Sequence, residues 1–157
     1  MIKIQVICVG KLKEAFYTAA AAEYTKRLSA YCRLTLVELP EERLPKDPSP
    51  AQIEGALAKE AKLILAQCPP RSSLIALCVE GRQRSSEELA QLLSTSGESQ
   101  LSFVIGGSYG LHPTVKAAAQ VRLSMSQMTF PHHLARIMLL EQIYRGFKIN
   151  EGSRYHK

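Results

Sequence analysis

Leu101-Ser-Phe-Val-Ile-Gly-Gly-Ser-Tyr-Gly-Leu111 is the stretch on which the fold turns. Five apolar or small residues run straight into Gly106, Gly107 and Gly110. A short apolar run closed by glycines reads as a buried strand entering a tight turn. Glycine at a strand end also lets a ligand come close to the backbone. No Asp or Glu occurs between Ser99 and Leu140, and His112, His132, His133 and His156, the only histidines, all lie beyond the turn. The expectation is a small-molecule site that faces an anionic partner.

Outward from this strand the chain alternates between two periods. Residues 2–9 form a β-branched run closed by Gly10, half alternating and half fully apolar, as expected of a strand in a covered sheet. Residues 13–29 place Phe16, Ala20, Tyr24 and Leu28 on one helical face. A second strand covers 33–39 and stops at Pro40. Pro40, Pro45, Pro48 and Pro50 mark an extended surface loop, because each proline fixes its own φ and restricts its predecessor. Ser49-Pro50 opens a helix to about residue 67, which Pro69-Pro70 ends. Residues 73–79 are apolar throughout and read as a central third strand, with a turn at Glu80-Gly81-Arg82. Ser85 or Ser86 caps the next helix, with Glu88 placed for a capping box and an end near Ser96-Gly97. After the glycine turn come a short helix over 114–120, a fifth strand over 121–125 and a last helix from about 130 to 149. Strict alternation of strand and helix argues for an α/β fold, a mostly parallel sheet covered by helices on both faces.

At 157 residues, 46% hydrophobic and 22% charged, the chain fits one soluble domain spanning 1–157. No apolar run approaches the ~20 residues needed to cross a bilayer, so no membrane partner is expected. The N-terminus reads as a strand rather than a signal peptide. Cys8, Cys32, Cys68 and Cys78 form no CxxC pair and have no histidine at metal spacing, so neither zinc nor a disulfide is expected. Four cysteines without a secretory signal suit a reducing cytosol. The net charge of +6 is uneven: residues 1–98 hold 13 basic against 12 acidic side chains, and residues 99–157 hold seven against two. Such a half attracts phosphates.

Three chemistries compete for the glycine turn. A dinucleotide site is weakly echoed, but the spacing departs from G-x-G-x-x-G and no acid follows at the distance that the ribose hydroxyls require. Gly106-x-Ser108-x-Gly110 also matches a nucleophile elbow, with Glu141 and His156 following in the order of a hydrolase triad. That reading lacks a glycine-rich oxyanion loop upstream.

The third comes from resemblance. Phe103-Val-Ile-Gly-Gly-Ser-Tyr-Gly-Leu111, Leu123-Ser-Met-Ser-Gln-Met-Thr-Phe-Pro-His132, Glu141-Gln-Ile-Tyr-Arg-Gly-Phe-Lys-Ile149 and the terminal Tyr155-His156-Lys157 resemble the RlmH family of SPOUT methyltransferases. The opening Ile-Lys-Ile-x-Val-Ile-x-Val-Gly-Lys-Leu-Lys and Glu23-Tyr24-x-Lys-Arg-Leu28 match as well, so the likeness covers the whole chain. It implies a cytoplasmic enzyme that transfers a methyl group from S-adenosylmethionine to N3 of a pseudouridine in 23S rRNA of the assembled ribosome. It also implies a C-terminal trefoil knot, a feature that general topology rules argue against, and a homodimer. The family's cofactor contacts fall on Leu77, Gly106 and the run Met125, Ser126, Gln127, Met128, Thr129 and Phe130. Met125 and Gln127 stand at positions that vary in the family.

The residues themselves fit that assignment. Leu77, Ile105, Met128 and Phe130 can line an apolar slot for adenine. Methyl transfer relies on positioning, and the acceptor nitrogen must shed a proton to a base or be stabilised by a cation. His132, Arg136, Arg145, Tyr155 and His156 are the candidates, the last two through the resemblance. Arg82, Arg84, Arg122, Arg145 and Arg154 are candidates for phosphate contacts. The last helix carries more apolar residues than one packed stripe requires, which a dimer interface or a deeper seat in its own core would explain. The alternative of a different class is a non-catalytic RNA-binding or ribosome-assembly protein that uses the same basic face, with RNA affinity and no cofactor.

Overall fold

A computed structural model describes residues 1–96 and 100–157. Five strands, β1 (Ile2–Val9), β2 (Cys32–Leu39), β3 (Ser73–Gln83), β4 (Leu101–Ile105) and β5 (Val121–Ser124), form one parallel sheet in the order β2-β1-β4-β3-β5. Five helices alternate with them: α1 (Ala15–Leu28), α2 (Pro50–Gln67), α3 (Ser86–Thr95), α4 (Pro113–Ala118) and α5 (His132–Asn150). The strand–helix alternation read from the sequence is therefore the fold.

Strand order decides which face each helix covers. The β1→β2 and β3→β4 connections step one way across the sheet, and β2→β3 and β4→β5 step the other way. Right-handed crossovers then put α1 and α3 on one face and α2 and α4 on the opposite one. Packing follows this division: α5 lies against both α1 and α3, and α2 touches α4. One core layer joins Ile4, Val6, Leu28, Ile75, Leu89, Phe103, Leu139, Leu140 and Ile143. The other joins Ile7, Val9, Ile64, Leu74, Val104, Leu111 and Val115. All five β4 residues are buried, because both edges pair with strands and both faces are covered.

Local chemistry sets the boundaries. Ser49 and Gln52 form a reciprocal capping box at the start of α2, with Gln52 N–H donating to Ser49 Oγ at 3.1 Å and Ser49 N–H to Gln52 Oε1 at 2.8 Å. Ser85 and Glu88 do the same for α3. The expected end of α3 at Ser96-Gly97 falls partly on Gly97, which lies outside the described residues. α4 stops at Ala118, before the expected 120, because β3 captures Gln120: its N–H donates to Leu74 O at 3.0 Å and its Oε1 accepts from Leu74 N–H at 2.6 Å.

The turn expected at Glu80-Gly81-Arg82 is a bulge inside a longer strand. β3 runs on to Gln83, and its register with β5 shifts so that Leu123 faces both Leu77 and Arg82. A Cβ on Gly81 would sit 2.8 Å from the Arg122 backbone, so only glycine lets the bulge close over β5. Much of the apolar width of α5 is absorbed within the chain. Leu139, Leu140 and Ile143 are buried under α1 and α3, and Gly146 lets α3 approach so closely that a Cβ would lie 2.6 Å from Leu93 Cδ1. Leu134, Ile137 and Met138 stay half-buried. No described helix is long and apolar enough to cross a membrane.

Candidate functional site

Parallel α/β sheets place ligands beyond the carboxyl ends of their strands, where loops from different strands meet. A cleft of about 690 Å³ lies there. Its walls are the end of β3 (Leu77, Cys78, Val79, Glu80), the glycine turn after β4 (Ile105 to Leu111), and the end of β5 with its following loop (Leu123 to Ser126, Met128 to Pro131). Lys116 of α4 and His132 and Ala135 at the start of α5 complete it.

The turn is held by its own backbone. Gly107 and Gly110 form an isolated antiparallel bridge, Gly110 N–H donates to Gly107 O at 3.1 Å, and Gly110 has φ of +80°. A Cβ on Gly106 would stand 2.4 Å from Gly110 O. Gly107 is small for a different reason. Glu41, from the loop between β2 and α2, accepts Ser108 N–H at 2.9 Å, and its Oε1 lies 2.6 Å from where a Gly107 side chain would start. Turn closure and Glu41, rather than ligand approach alone, account for these two glycines. After β5, Ser124 Oγ donates to Ser126 O at 3.0 Å and Ser126 Oγ accepts Met128 N–H at 3.0 Å. These bonds shape the rim and leave Met128 73% exposed at the mouth.

Of the residues expected to contact a cofactor, Leu77, Gly106, Met125, Ser126, Met128, Thr129 and Phe130 line the cleft, and Gln127 is exposed outside the lining. The five candidates for chemistry divide into three places. His132 is on the cleft wall. Its Nε2 is buried, finds no hydrogen-bond partner among the described residues, and lies near Gly10 beside the His133 ring, whose centroid is 4.2 Å away. Burial first, then its neighbours His133 and Arg136, lower its pKa against the opposing pull of Glu41, which favours the neutral ring.

Arg136, only 2% exposed, donates to Glu38 Oε2 at 2.6 Å and to Gly10 O at 3.0 Å. It ties α5 to the ends of β1 and β2. Arg145, Tyr155 and His156 form a separate cluster around Glu141. Arg145 Nη2 and Tyr155 Oη donate to Glu141 Oε1 at 2.6 and 3.2 Å, Arg145 Nη1 meets His156 Nδ1 at 3.1 Å, and His156 Nε2 meets Glu87 at 2.7 Å. Arg145 follows His132 by 13 positions, about 20 Å along a helix rising ~1.5 Å per residue. The hydrolase reading dissolves as well: Ser108 lines the cleft, and Glu141 and His156 join the Arg145 cluster outside that lining. The dinucleotide reading fails on topology, since the turn follows β4 instead of the first strand.

Glu41, Glu80 and Lys116 are site residues that the sequence did not mark. Glu41 sits in a proline-rich loop, 67 positions from its partner Ser108. Glu80 was masked by the apparent turn, and Lys116 by the general basic excess. Of the phosphate candidates, Arg82 is loosely paired with Glu88 at 3.9 Å, Arg122 and Arg154 are exposed, and Arg84 has a buried Nε without a partner among the described residues.

A glycine turn and an apolar cleft at the strand ends of a doubly covered parallel sheet define an α/β protein whose cleft has the size and lining of a small-molecule site, beside a basic half. The family model described as "Predicted SPOUT methyltransferase" matches residues 2–156. The chain belongs to the SPOUT methyltransferase family. It is also 48% identical over 157 residues to the ribosomal RNA large subunit methyltransferase H of Ligilactobacillus salivarius, with 98% of this chain and 99% of that protein covered.

Proposed function

We propose that the chain transfers a methyl group from S-adenosylmethionine to N3 of a pseudouridine in 23S rRNA of the assembled ribosome. The observation that carries this reading is the convergence of β3, β4 and β5 ends, distant in sequence, on one cleft that takes in most of the residues matched to the family's cofactor contacts. The cleft fits such a cofactor. Its volume is within the ~300–1,000 Å³ of small-molecule sites, and Leu77, Ile105 and Leu123 give an apolar wall beside the backbone of a glycine turn.

The bound cofactor supplies an electrophilic methyl group on a sulfonium. The chain's part is to hold the two reactants in line and to manage the acceptor's proton. We assign His132, the histidine on the cleft wall, as the group that receives that proton. Arg145 lies 13 positions along α5 from His132, and Tyr155 and His156 cluster with it outside the cleft lining, so we assign the three to the cleft of a second copy in a homodimer. In that arrangement Arg145 stabilises the anionic base and the tail closes the site. The half-buried Leu134, Ile137 and Met138 of α5 supply apolar surface for pairing. The basic C-terminal half faces rRNA, the enzyme works in the cytoplasm without a metal, and the trefoil knot belongs to the same reading.

Calorimetric titration with S-adenosylmethionine and labelled methyl transfer to ribosomes, for the full chain and for a chain ending at Ser153, test the composite site. Both proteins are expected to bind the cofactor and only the full chain to transfer methyl. Full activity in the shortened chain would refute the shared site.

A further inference from the structure

Among the described residues, the cleft is lined by only two side chains that carry full charge at neutral pH: Glu80 on the β3 bulge and Lys116 on α4. They have opposite signs and pair with each other. Everything else on the wall is apolar, glycine, hydroxyl-bearing or His132, whose pKa is lowered. The pair stands at the mouth, with Glu80 58% and Lys116 27% exposed. Exposed pairs of this kind add little to folding, at most ~1 kcal/mol. Stability therefore gives no reason for both charges to sit on the rim of an apolar cleft.

Both are mounted rigidly. Glu80 projects from the segment where β3 leaves its register with β5, and that bulge is clamped by Gly81 against the Arg122 backbone. Lys116 follows the fully buried Val115 in the middle of α4. The hydrogen bond from Lys116, with the Lys116 and Arg122 charges, holds the Glu80 carboxyl below the usual carboxylate range, so it is ionised throughout the neutral range.

A ligand whose end carries an ammonium and a carboxylate on one carbon matches this pair. On entry it separates the two side chains and gives each a charge-assisted partner, exchanging one exposed ion pair for two. Resting on the cofactor reading above, we infer that Glu80 and Lys116 form the subsite for the α-amino-acid end of the cofactor. Glu80 accepts from the ammonium and Lys116 donates to the carboxylate. The nucleoside end lies deeper, against Leu77, Ile105 and Leu123.

Two probes separate this subsite from the rest of the cleft. S-adenosylhomocysteine carries the amino-acid end, and 5′-methylthioadenosine has the same nucleoside without it. Calorimetric titration of the native protein, Glu80→Gln, Lys116→Met and Lys116→Arg with each probe, beside their melting temperatures, tests the inference. Glu80→Gln and Lys116→Met should each weaken S-adenosylhomocysteine about tenfold, near 1.4 kcal/mol, and leave 5′-methylthioadenosine within about twofold. Lys116→Arg should retain most of the affinity for both. Equal weakening of both probes, or unchanged binding of S-adenosylhomocysteine in folded variants, would overturn the subsite alone. If the native protein binds neither probe, the cofactor reading itself falls.

Discussion

Gly106→Ala places a methyl group where the returning turn already stands. The added Cβ would lie 2.4 Å from Gly110 O and 2.6 Å from Gly110 C, below the 3.0 Å that real Cβ contacts essentially never breach, so the turn must open by about 0.6 Å. No flexible side chain can absorb this. The obstructing atoms are backbone, pinned by the Gly107–Gly110 bridge and the Gly110 N–H to Gly107 O hydrogen bond. Forcing an extra carbon into a tight site costs about 1–3 kcal/mol, which for a chain of this size lowers the melting temperature by about 2–12 °C. The same opening displaces the cleft wall formed by Gly106 to Leu111. Calorimetric titration with S-adenosylmethionine should then show a Kd at least about tenfold higher, equivalent to ~1.4 kcal/mol. Gly55→Ala is the matched control: it lies inside α2 with nothing within 4 Å of its Cβ position, and it should stabilise the fold by about 0.5–1 kcal/mol. A Gly106→Ala protein that melts and binds like the native one would refute the reasoning.

Glu38→Ala leaves the buried Arg136 guanidinium with only Gly10 O; because water reaches Glu38, the cost is about 1–2 kcal/mol, less than for a fully buried pair. Burial pulls the Glu38 pKa up, but the Arg136 and Leu12 hydrogen bonds and the nearby cations outweigh it and set it below the ordinary value of 4.5. Its stabilisation is thus present above that value and lost as pH falls through the lower folded-state pKa, so thermal melts of native and Glu38→Ala proteins should converge in acid; a constant gap would contradict the assignment. Glu60 is the opposite case, raised chiefly by burial and also by Glu41 and Glu42. Its charge opposes folding as pH rises through its folded-state pKa, so Glu60→Gln, which keeps an acceptor for Glu42 N–H, should raise the melting temperature at pH 7 and not at pH 4. Glu41→Ala should weaken cofactor binding by releasing the Ser108 turn, and Glu41→Gln should largely restore it, in the same titration; equal loss in both would assign the effect to charge instead of the hydrogen bond.

Features encoded within a few residues were legible in the sequence. The Ser49-Pro50 start of α2 and the Ser85–Glu88 box of α3 are local devices, and the apolar run of β4 can only be buried. Strand order was not legible, because nothing inside β4 states that it inserts between β1 and β3. The same limit governs the site. Arg136 looks like one charge on a helix, and its partner Glu38 stands 98 positions earlier. Glu80 lies in a segment whose glycine and charges mimic a turn, and only pairing with β5 reveals a bulge. The separation of Arg145 from His132 follows from the 13 helical positions between them in α5, and the proposal of a second copy rests on it.

Transfer of labelled methyl from S-adenosylmethionine to ribosomes lacking the modification, with the labelled nucleoside identified after digestion, tests the proposed activity most directly. Label on a pseudouridine of 23S rRNA, abolished by Gly106→Val, is the expected result. Saturable cofactor binding with no label on large-subunit rRNA, from a folded protein supplied with intact ribosomes, would contradict it.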